Sequence, residues 1–196
     1  MSVPVISFSE ARFLTTVKQQ RDFSCGSAAV ATLLTHHYEN PVSESEAFTY
    51  MFQAGDQAQI RRAGFSLLDI KRFLESKGYR SDGFRFSLDV LNKIGVPAIV
   101  LINDDGYKHF VVIKGVDETH LLIGDPAKGT RYIKRDSFVE MWNGIVFLIR
   151  NNKNIGEEHF HIHDEYGIIA RAPVDSMISR DGLAGYTAPF SMELEF

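Results

Sequence analysis

The chain has 196 residues, of which 44% are hydrophobic and 23% charged, with a formal net charge of −4 at pH 7. These values are typical of a globular protein, and the scattered lysines and arginines argue against nucleic-acid binding. The apolar runs at 98–102, 110–113 and 145–149 are at most five residues long. They are far shorter than the roughly 20 residues that cross a bilayer. The first 13 residues lack a basic start and a long apolar core, so no signal peptide is visible.

Helical patterns dominate the first half of the chain. Helices are predicted over 25–38, 43–53, 66–78 and 88–94. Asn40-Pro41 ends the first helix, because proline disfavours helical geometry in the residue before it. Ser43 and Glu46 form the sequence of a capping box, and Gly78 stands at the C-terminal stop of the third helix.

Strand patterns follow Pro97, and they predict a run of antiparallel pairs. Strands are expected over 98–102, 107–114, 120–124, 130–134 and 145–149, with a short helix near 136–142. Asn103-Asp-Asp-Gly106 is a hairpin-turn signal, and a second turn is expected around Asp117. The order indicates an α+β domain with N-terminal helices packed on a C-terminal antiparallel sheet. We predict an N-terminal segment over 1–13, this domain over 14–150, and a C-terminal extension over 151–196.

Cys25 is the only cysteine, and it lies where the first helix begins. A lone cysteine is most often a small buried hydrophobic residue. The first turn of a helix, however, carries partial positive charge and unpaired N–H groups, which stabilise a thiolate and lower the pKa of a cysteine. Asp22 and Ser24 are candidate caps, and Gly26 lets the backbone approach a substrate carbonyl. We therefore expect Cys25 to be a nucleophile with a lowered pKa.

A cysteine nucleophile needs a base and a group that orients the base. His109 lies in a predicted strand, and Asp125 ends the next one. If these strands form a hairpin about Asp117, Asp125 returns beside His109 and holds the imidazole in the correct tautomer. Gln19, six residues before the cysteine, can supply an amide N–H to an oxyanion hole together with the backbone N–H of Cys25. Gln20 is the alternative donor, and the spacing favours Gln19.

Three segments together resemble peptidase family C39: Gln19-x5-Cys25-Gly26-x-Ala28-Ala29, Tyr107-x-His109-Phe110-Val111-Val112 and Asp125-Pro126-Ala127. The similarity spans about residues 14–150. It implies a papain-like cysteine peptidase that cuts after a double-glycine motif, with Cys25 as nucleophile, His109 as base and acid, Asp125 as orienter and Gln19 as oxyanion donor. Neither a metal nor another cofactor is implied. Many members carry an acidic residue before the cysteine, where this chain has Ser24.

The stand-alone form is similar to the protease of the Pseudomonas functional-amyloid (Fap) secretion system, on the segments QQ-x-D-F-SCG, FSLLDIKR and YKHFVV. That resemblance implies a periplasmic enzyme whose signal sequence is absent from this chain, with the cytoplasm as the alternative. The partner it implies is a polypeptide substrate, a protein of the same secretion system.

Three other interpretations remain open. A degenerate domain of this family binds peptides without cutting them, but the intact set of four residues argues against it. A papain-like acyl transferase would use the same residues and differ only in its acceptor. In a strand, His159, His161 and His163 share a face and would suit a transition metal, although solvent-exposed histidines without a ligand are the simpler interpretation.

Overall fold

The computed structural model describes residues 8–162, and this part of the chain contains eight helices and six strands. In chain order they are α1 (Phe8–Ala11), α2 (Cys25–His37), α3 (Glu44–Ala54), α4 (Gln57–Ala63), α5 (Leu67–Ser76), β1 (Ser81–Arg85), α6 (Leu88–Ile94), β2 (Ala98–Asp104), β3 (Tyr107–Val116), β4 (His120–Asp125), β5 (Gly129–Lys134), α7 (Arg135–Met141), β6 (Ile145–Ile149) and α8 (Lys153–Glu158). Within residues 8–162, no helix has both the length and the hydropathy needed to cross a bilayer.

The six strands form one antiparallel sheet in the order β1-β6-β2-β3-β4-β5. Strands β2 to β5 are the consecutive antiparallel pairs expected from the sequence. The hairpin β2–β3 turns at Asp105-Gly106, whose φ angles of 53° and 90° are those of the predicted tight turn. Strand β6 inserts between β1 and β2 and pairs with β2 over Ala98 and Ile99 only.

Helix α2 is enclosed on all sides, because it lies between the helices α3 and α5 and the sheet. Its side chains from Ala28 to Leu34 are completely buried. Small residues let neighbouring elements approach closely, and a helix that is apolar all round belongs in a core. Phe110 and Val112 of β3 belong to the same cluster. The start of α2 is therefore held in a fixed position against β3.

The opposite face of the sheet has its own core, which α6 and α7 cover. Val111 and Ile113 of β3, Ile123 of β4 and Phe138 of α7 are members of this second cluster. Because both faces are covered, β3 is buried from His109 to Val116. This two-sided burial explains why the central strands are continuous apolar runs in the sequence.

Residues 12–19, here called the N-terminal strap, lie across α2 and the loop between β4 and β5. The carbonyl of Arg12 accepts the N–H of Thr130 at 2.7 Å, and Val17 donates to the Thr32 hydroxyl at 2.9 Å. Gln19 donates its N–H to the carbonyl of Pro126 at 3.0 Å. The strap thereby attaches Gln19 to the loop that begins at Asp125.

The described part of the predicted extension packs on α2. Gly156 of α8 lies against the Tyr38 ring, and His37 Nδ1 lies 3.0 Å from the carbonyl of His159. Residues 159–162 are not in a strand, so the premise of the histidine metal site does not hold there, and His163 lies outside the described residues. Among residues 8–162, no group of three or more His, Cys, Asp or Glu side chains is arranged to hold a metal ion. The predicted boundaries at residues 13 and 150 stay predictions.

Replacing Gly129 by Ala tests the contact between the strap and the sheet. Gly129 has φ +80°, and an added Cβ would lie 2.6 Å from the Cβ of Arg12. Gly106 is a matched control, since it has φ +90° and nothing within 4 Å of an added Cβ. We expect Gly106→Ala to lower the free energy of unfolding by about 1–2 kcal/mol through backbone strain. Gly129→Ala should lower it by about 1–3 kcal/mol more through overpacking, as measured by urea denaturation; equal losses would contradict the contact.

Candidate active site

Cys25 is the first residue of α2, and its side chain is 7% exposed. Ser24 occupies the cap position, but no side chain caps the helix there. The Ser24 hydroxyl instead donates to the carbonyl of Arg21 at 3.0 Å and accepts the Arg21 N–H at 3.1 Å. Neither predicted cap, Asp22 or Ser24, therefore occupies the N–H groups at the start of the helix. These groups are placed to bind negative charge beside the thiol.

Burial raises the pKa of the Cys25 thiol above its ordinary value. The N–H groups of Phe110, Gly26 and Cys25 itself act in the opposite direction, and the charge of Asp125 adds to the rise. The sequence-based expectation of a lowered pKa is therefore wrong. The helix N-terminus does favour the thiolate, but desolvation in a nearly closed site has the larger effect.

His109 and Asp125 form the buried pair that the hairpin predicted, and both side chains are 0% exposed. His109 Nε2 donates to Asp125 Oδ2 at 3.2 Å. The ring stacks on Tyr107 with a centroid distance of 4.8 Å, and Nδ1 lies 3.4 Å from the Tyr107 carbonyl. Because Nε2 is occupied by the carboxylate, Nδ1 is the ring nitrogen left to exchange a proton with another group.

The register of the hairpin brings this pair together. Asp117 Oδ1 accepts the N–H groups of Thr119 and His120, each at 2.6 Å, and so forms the turn between β3 and β4. Val112 then lies opposite Gly124. Asp125, the next residue, ends β4 and approaches His109 diagonally from the neighbouring strand. The sequence did not indicate the irregularity between Ile113 and Gly115 that shifts this register.

Asp125 accepts four hydrogen bonds. Its Oδ1 takes the N–H groups of Ala127 at 2.9 Å and Lys128 at 3.1 Å, while Oδ2 takes His109 Nε2 and Arg131 Nη1, the latter at 3.1 Å. Burial by itself would raise the pKa of Asp125, but these donors outweigh it and hold the pKa below its usual value. The contact of Arg131 with Asp125 was not predicted from the sequence. Arg131 lies in β5 two residues after Gly129, which pairs with Asp125.

Gln19 is attached to the loop after Asp125 through its backbone bond to Pro126. Its Nε2 donates to the carbonyl of Arg21 at 3.1 Å, and its Oε1 is buried without a hydrogen-bond partner. Gln20, the alternative donor, is exposed to solvent. The amide of Gln19 is therefore engaged by the loop that precedes Cys25, and its role as an oxyanion donor stays a prediction.

A cavity of about 390 Å³ opens over the thiol and the imidazole. One wall comes from the segment between α4 and α5, and the other comes from the sheet. The lining residues are Cys25, Ala63, Gly64, Phe65, Ser66, Leu67, Ile99, Val100, Leu101, Lys108, His109, Phe110, Asn143 and Ile145. A concave apolar cavity with a few convergent polar groups is typical of a substrate site.

Residues 14–154 match the model of the peptidase C39 family. The chain belongs to that family. The probable functional amyloid protease FapD of Pseudomonas fluorescens is 43% identical to it over 145 residues, which are 74% of this chain and 64% of FapD. FapD of Pseudomonas aeruginosa is 42% identical over the same shares. This C39 chain therefore matches less than two thirds of the length of these relatives.

Solved structures agree with the family assignment. The peptidase domain of Streptococcus ComA superposes with a TM-score of 0.59 at 21% identity, covering 69% of this chain and 96% of that domain. A double glycine motif protease from an AMS/PCAT transporter, solved with its leader peptide, gives a TM-score of 0.58 at 27% identity over 68% of this chain and 89% of that one. The predicted family and papain-like α+β fold are confirmed.

Alkylation by iodoacetamide at different pH values tests the state of the thiol. Since burial raises the pKa of Cys25, we expect the rate constant to keep rising with pH beyond about 8.5, where an ordinary thiol is half ionised. The same chain unfolded in urea is the control, and its thiol should titrate near the ordinary value. A rate that levels off below pH 7 in the folded protein would contradict the expected rise.

Proposed function

We propose that this chain is a cysteine endopeptidase that hydrolyses a peptide bond after small residues of the Gly-Gly type. The observation that carries the proposal is that His109, which is bonded to the buried Asp125, lines the same cavity as Cys25. A lone buried cysteine would need neither an imidazole nor an ionised carboxylate beside it. The intact set also argues against a domain that binds peptides without cutting them.

In the proposed reaction, Cys25 Sγ attacks the carbonyl carbon while His109 Nδ1 takes the thiol proton. Because burial disfavours the free thiolate, this proton transfer accompanies the attack instead of preceding it. The Nε2–H of His109 remains bonded to Asp125, which stabilises the imidazolium that forms. Nδ1 then gives the proton to the leaving amine, and an acyl-enzyme thioester remains.

Water completes the proposed reaction. Nδ1 removes a proton from a water molecule, whose oxygen attacks the thioester carbonyl. The C–S bond then breaks, Nδ1 returns the proton to Cys25 Sγ, and the carboxylic acid leaves. In both steps the oxyanion is held by the Cys25 N–H and by the Gln19 side chain. Gln19 Nε2 must then exchange its bond to the Arg21 carbonyl for one to the oxyanion of the substrate.

The biological substrate is proposed from similarity. The relatives at 43% and 42% identity carry the name of functional amyloid proteases, which supports a role in functional amyloid biogenesis. We accordingly propose the periplasm as the location and an exported or outer-membrane protein of the same secretion system as the substrate. The AMS/PCAT relative, a double glycine motif protease solved with a leader peptide, supports cleavage after small residues.

Cys25→Ala and His109→Ala should each reduce cleavage of a Gly-Gly peptide by roughly 10⁴-fold or more, because nucleophile and base act as a unit. His120→Gln is the matched control, since His120 lies in the same sheet but outside the cavity, and it should keep wild-type activity. Cleavage is measured by mass spectrometry, and thermal unfolding verifies the fold of each variant. Undiminished cleavage by Cys25→Ala would refute the proposal, and amide products formed with added glycinamide would indicate acyl transfer.

A peptide panel tests the small-residue cleft. Peptides of about 25 residues with Gly-Gly or Gly-Ala before the scissile bond should be cut faster than versions with Leu or Phe at those two positions. Peptides truncated to six residues should lose kcat as well as affinity, because remote contacts supply binding energy for orientation. Equal rates across the panel would rule out selection of small residues at the cleft.

A further inference from the structure

Arg131 contacts the same carboxylate oxygen of Asp125 that His109 contacts. Its Nη1 lies 3.1 Å from Asp125 Oδ2, and His109 Nε2 lies 3.2 Å from that oxygen. We infer that Arg131 is a positioning residue, which keeps Asp125 ionised and directed at His109 while touching neither thiol nor substrate. The inference rests on the proposed peptidase function.

Arg131 is itself held in place by a second carboxylate. Its Nη1 lies 3.3 Å from Asp104 Oδ2, which also accepts the Lys128 ammonium at 2.6 Å. Asp104 belongs to β2 and lies opposite Tyr107, whose ring stacks on His109. The network therefore runs from His109 through Asp125, Arg131 and Asp104 to Lys128, with Arg131 between the two carboxylates.

Because Asp125 is buried, its charge depends on contacts such as the one with Arg131. The carboxylate is 0% exposed, whereas the side chain of Arg131 is 26% exposed. A buried carboxylate stays charged only if charge partners and donors compensate for its lost hydration. Titratable groups that interact with Asp125 include His109 from β3, Arg131 from β5 and Cys25 from α2. Arg131 is the permanent positive charge among these three.

The direction of the pH effect follows from this arrangement. Asp125 is ionised above its pKa and neutral below it, and a neutral Asp125 no longer stabilises the imidazolium. Loss of Arg131 removes a donor and a positive charge, so Asp125 becomes neutral at a higher pH. Activity is then lost from the acid side, while the rate at alkaline pH changes much less.

The test compares Arg131→Gln with Arg131→Lys by measuring kcat/KM on the Gly-Gly peptide between pH 4.5 and 9. We expect the acid limb of the Arg131→Gln profile to lie about one pH unit or more above that of the wild type. The acid limb of Arg131→Lys should lie close to that of the wild type. Lys134→Gln is the matched control: it removes a positive charge from the other end of β5, outside this network, and its acid limb should stay where the wild type has it. An Arg131→Gln profile that is lowered equally at every pH, or not at all, would overturn the inference.

Asp104→Asn keeps the inference testable if Arg131→Gln does not fold. Arg131 then has Asp125 as its one remaining carboxylate partner in this network, and the acid limb should move to lower pH; movement to higher pH would overturn the assignment. The carboxyl ¹³C shift of Asp125, titrated by NMR, needs no activity. Suppose that the wild-type chain cuts no peptide, but that Asp125 titrates at higher pH in Arg131→Gln. The proposed peptidase function would then be refuted, and the role of Arg131 would be kept. An unshifted titration in a chain that does cut would refute the role of Arg131 alone.

Discussion

The close packing of helix α2 on strand β3 is the constraint on which the site depends. Cys25 comes from the helix layer, and His109 comes from the sheet, so their relation is fixed by how the two layers meet. A Cβ added to Gly26 would lie 2.9 Å from Phe65 Cβ and 3.5 Å from the Phe110 ring. Without a side chain at residue 26, the helix end fits between these two aromatics, and the thiol lies at the base of the cavity.

This close packing has an electrostatic consequence, because a site at the junction of two layers is poorly hydrated. Burial raises the pKa of Cys25, whereas four donors keep the equally buried Asp125 ionised. Low polarity disfavours the charged form of both groups, so the thiol stays neutral, whereas the donors around Asp125 outweigh this effect and keep the carboxylate charged.

The part of the site that could be predicted from the sequence is the part fixed by local turns. The turns at Asp105-Gly106 and Asp117 set the β2–β3 and β3–β4 hairpins, and hairpin register brings Asp125 to His109. Arg131 and the state of the thiol could not be predicted, because both depend on contacts between distant segments. Helix α4 and strand β1 were also missed, since a seven-residue helix and the short strand Ser81–Arg85, mostly exposed, carry little periodicity.

The loop after Asp125 contacts both the Asp125 carboxylate and Gln19, which is distant in sequence. The segment after Asp125 gives two N–H donors to that carboxylate, and its Pro126 carbonyl accepts the N–H of Gln19. The same segment leads into Gly129, where the strap crosses so closely that no side chain fits. The orientation of the carboxylate and the placement of the candidate oxyanion donor are thus properties of one short connection. The strap and β5 contact that connection from both sides, so the positions of both groups depend on it.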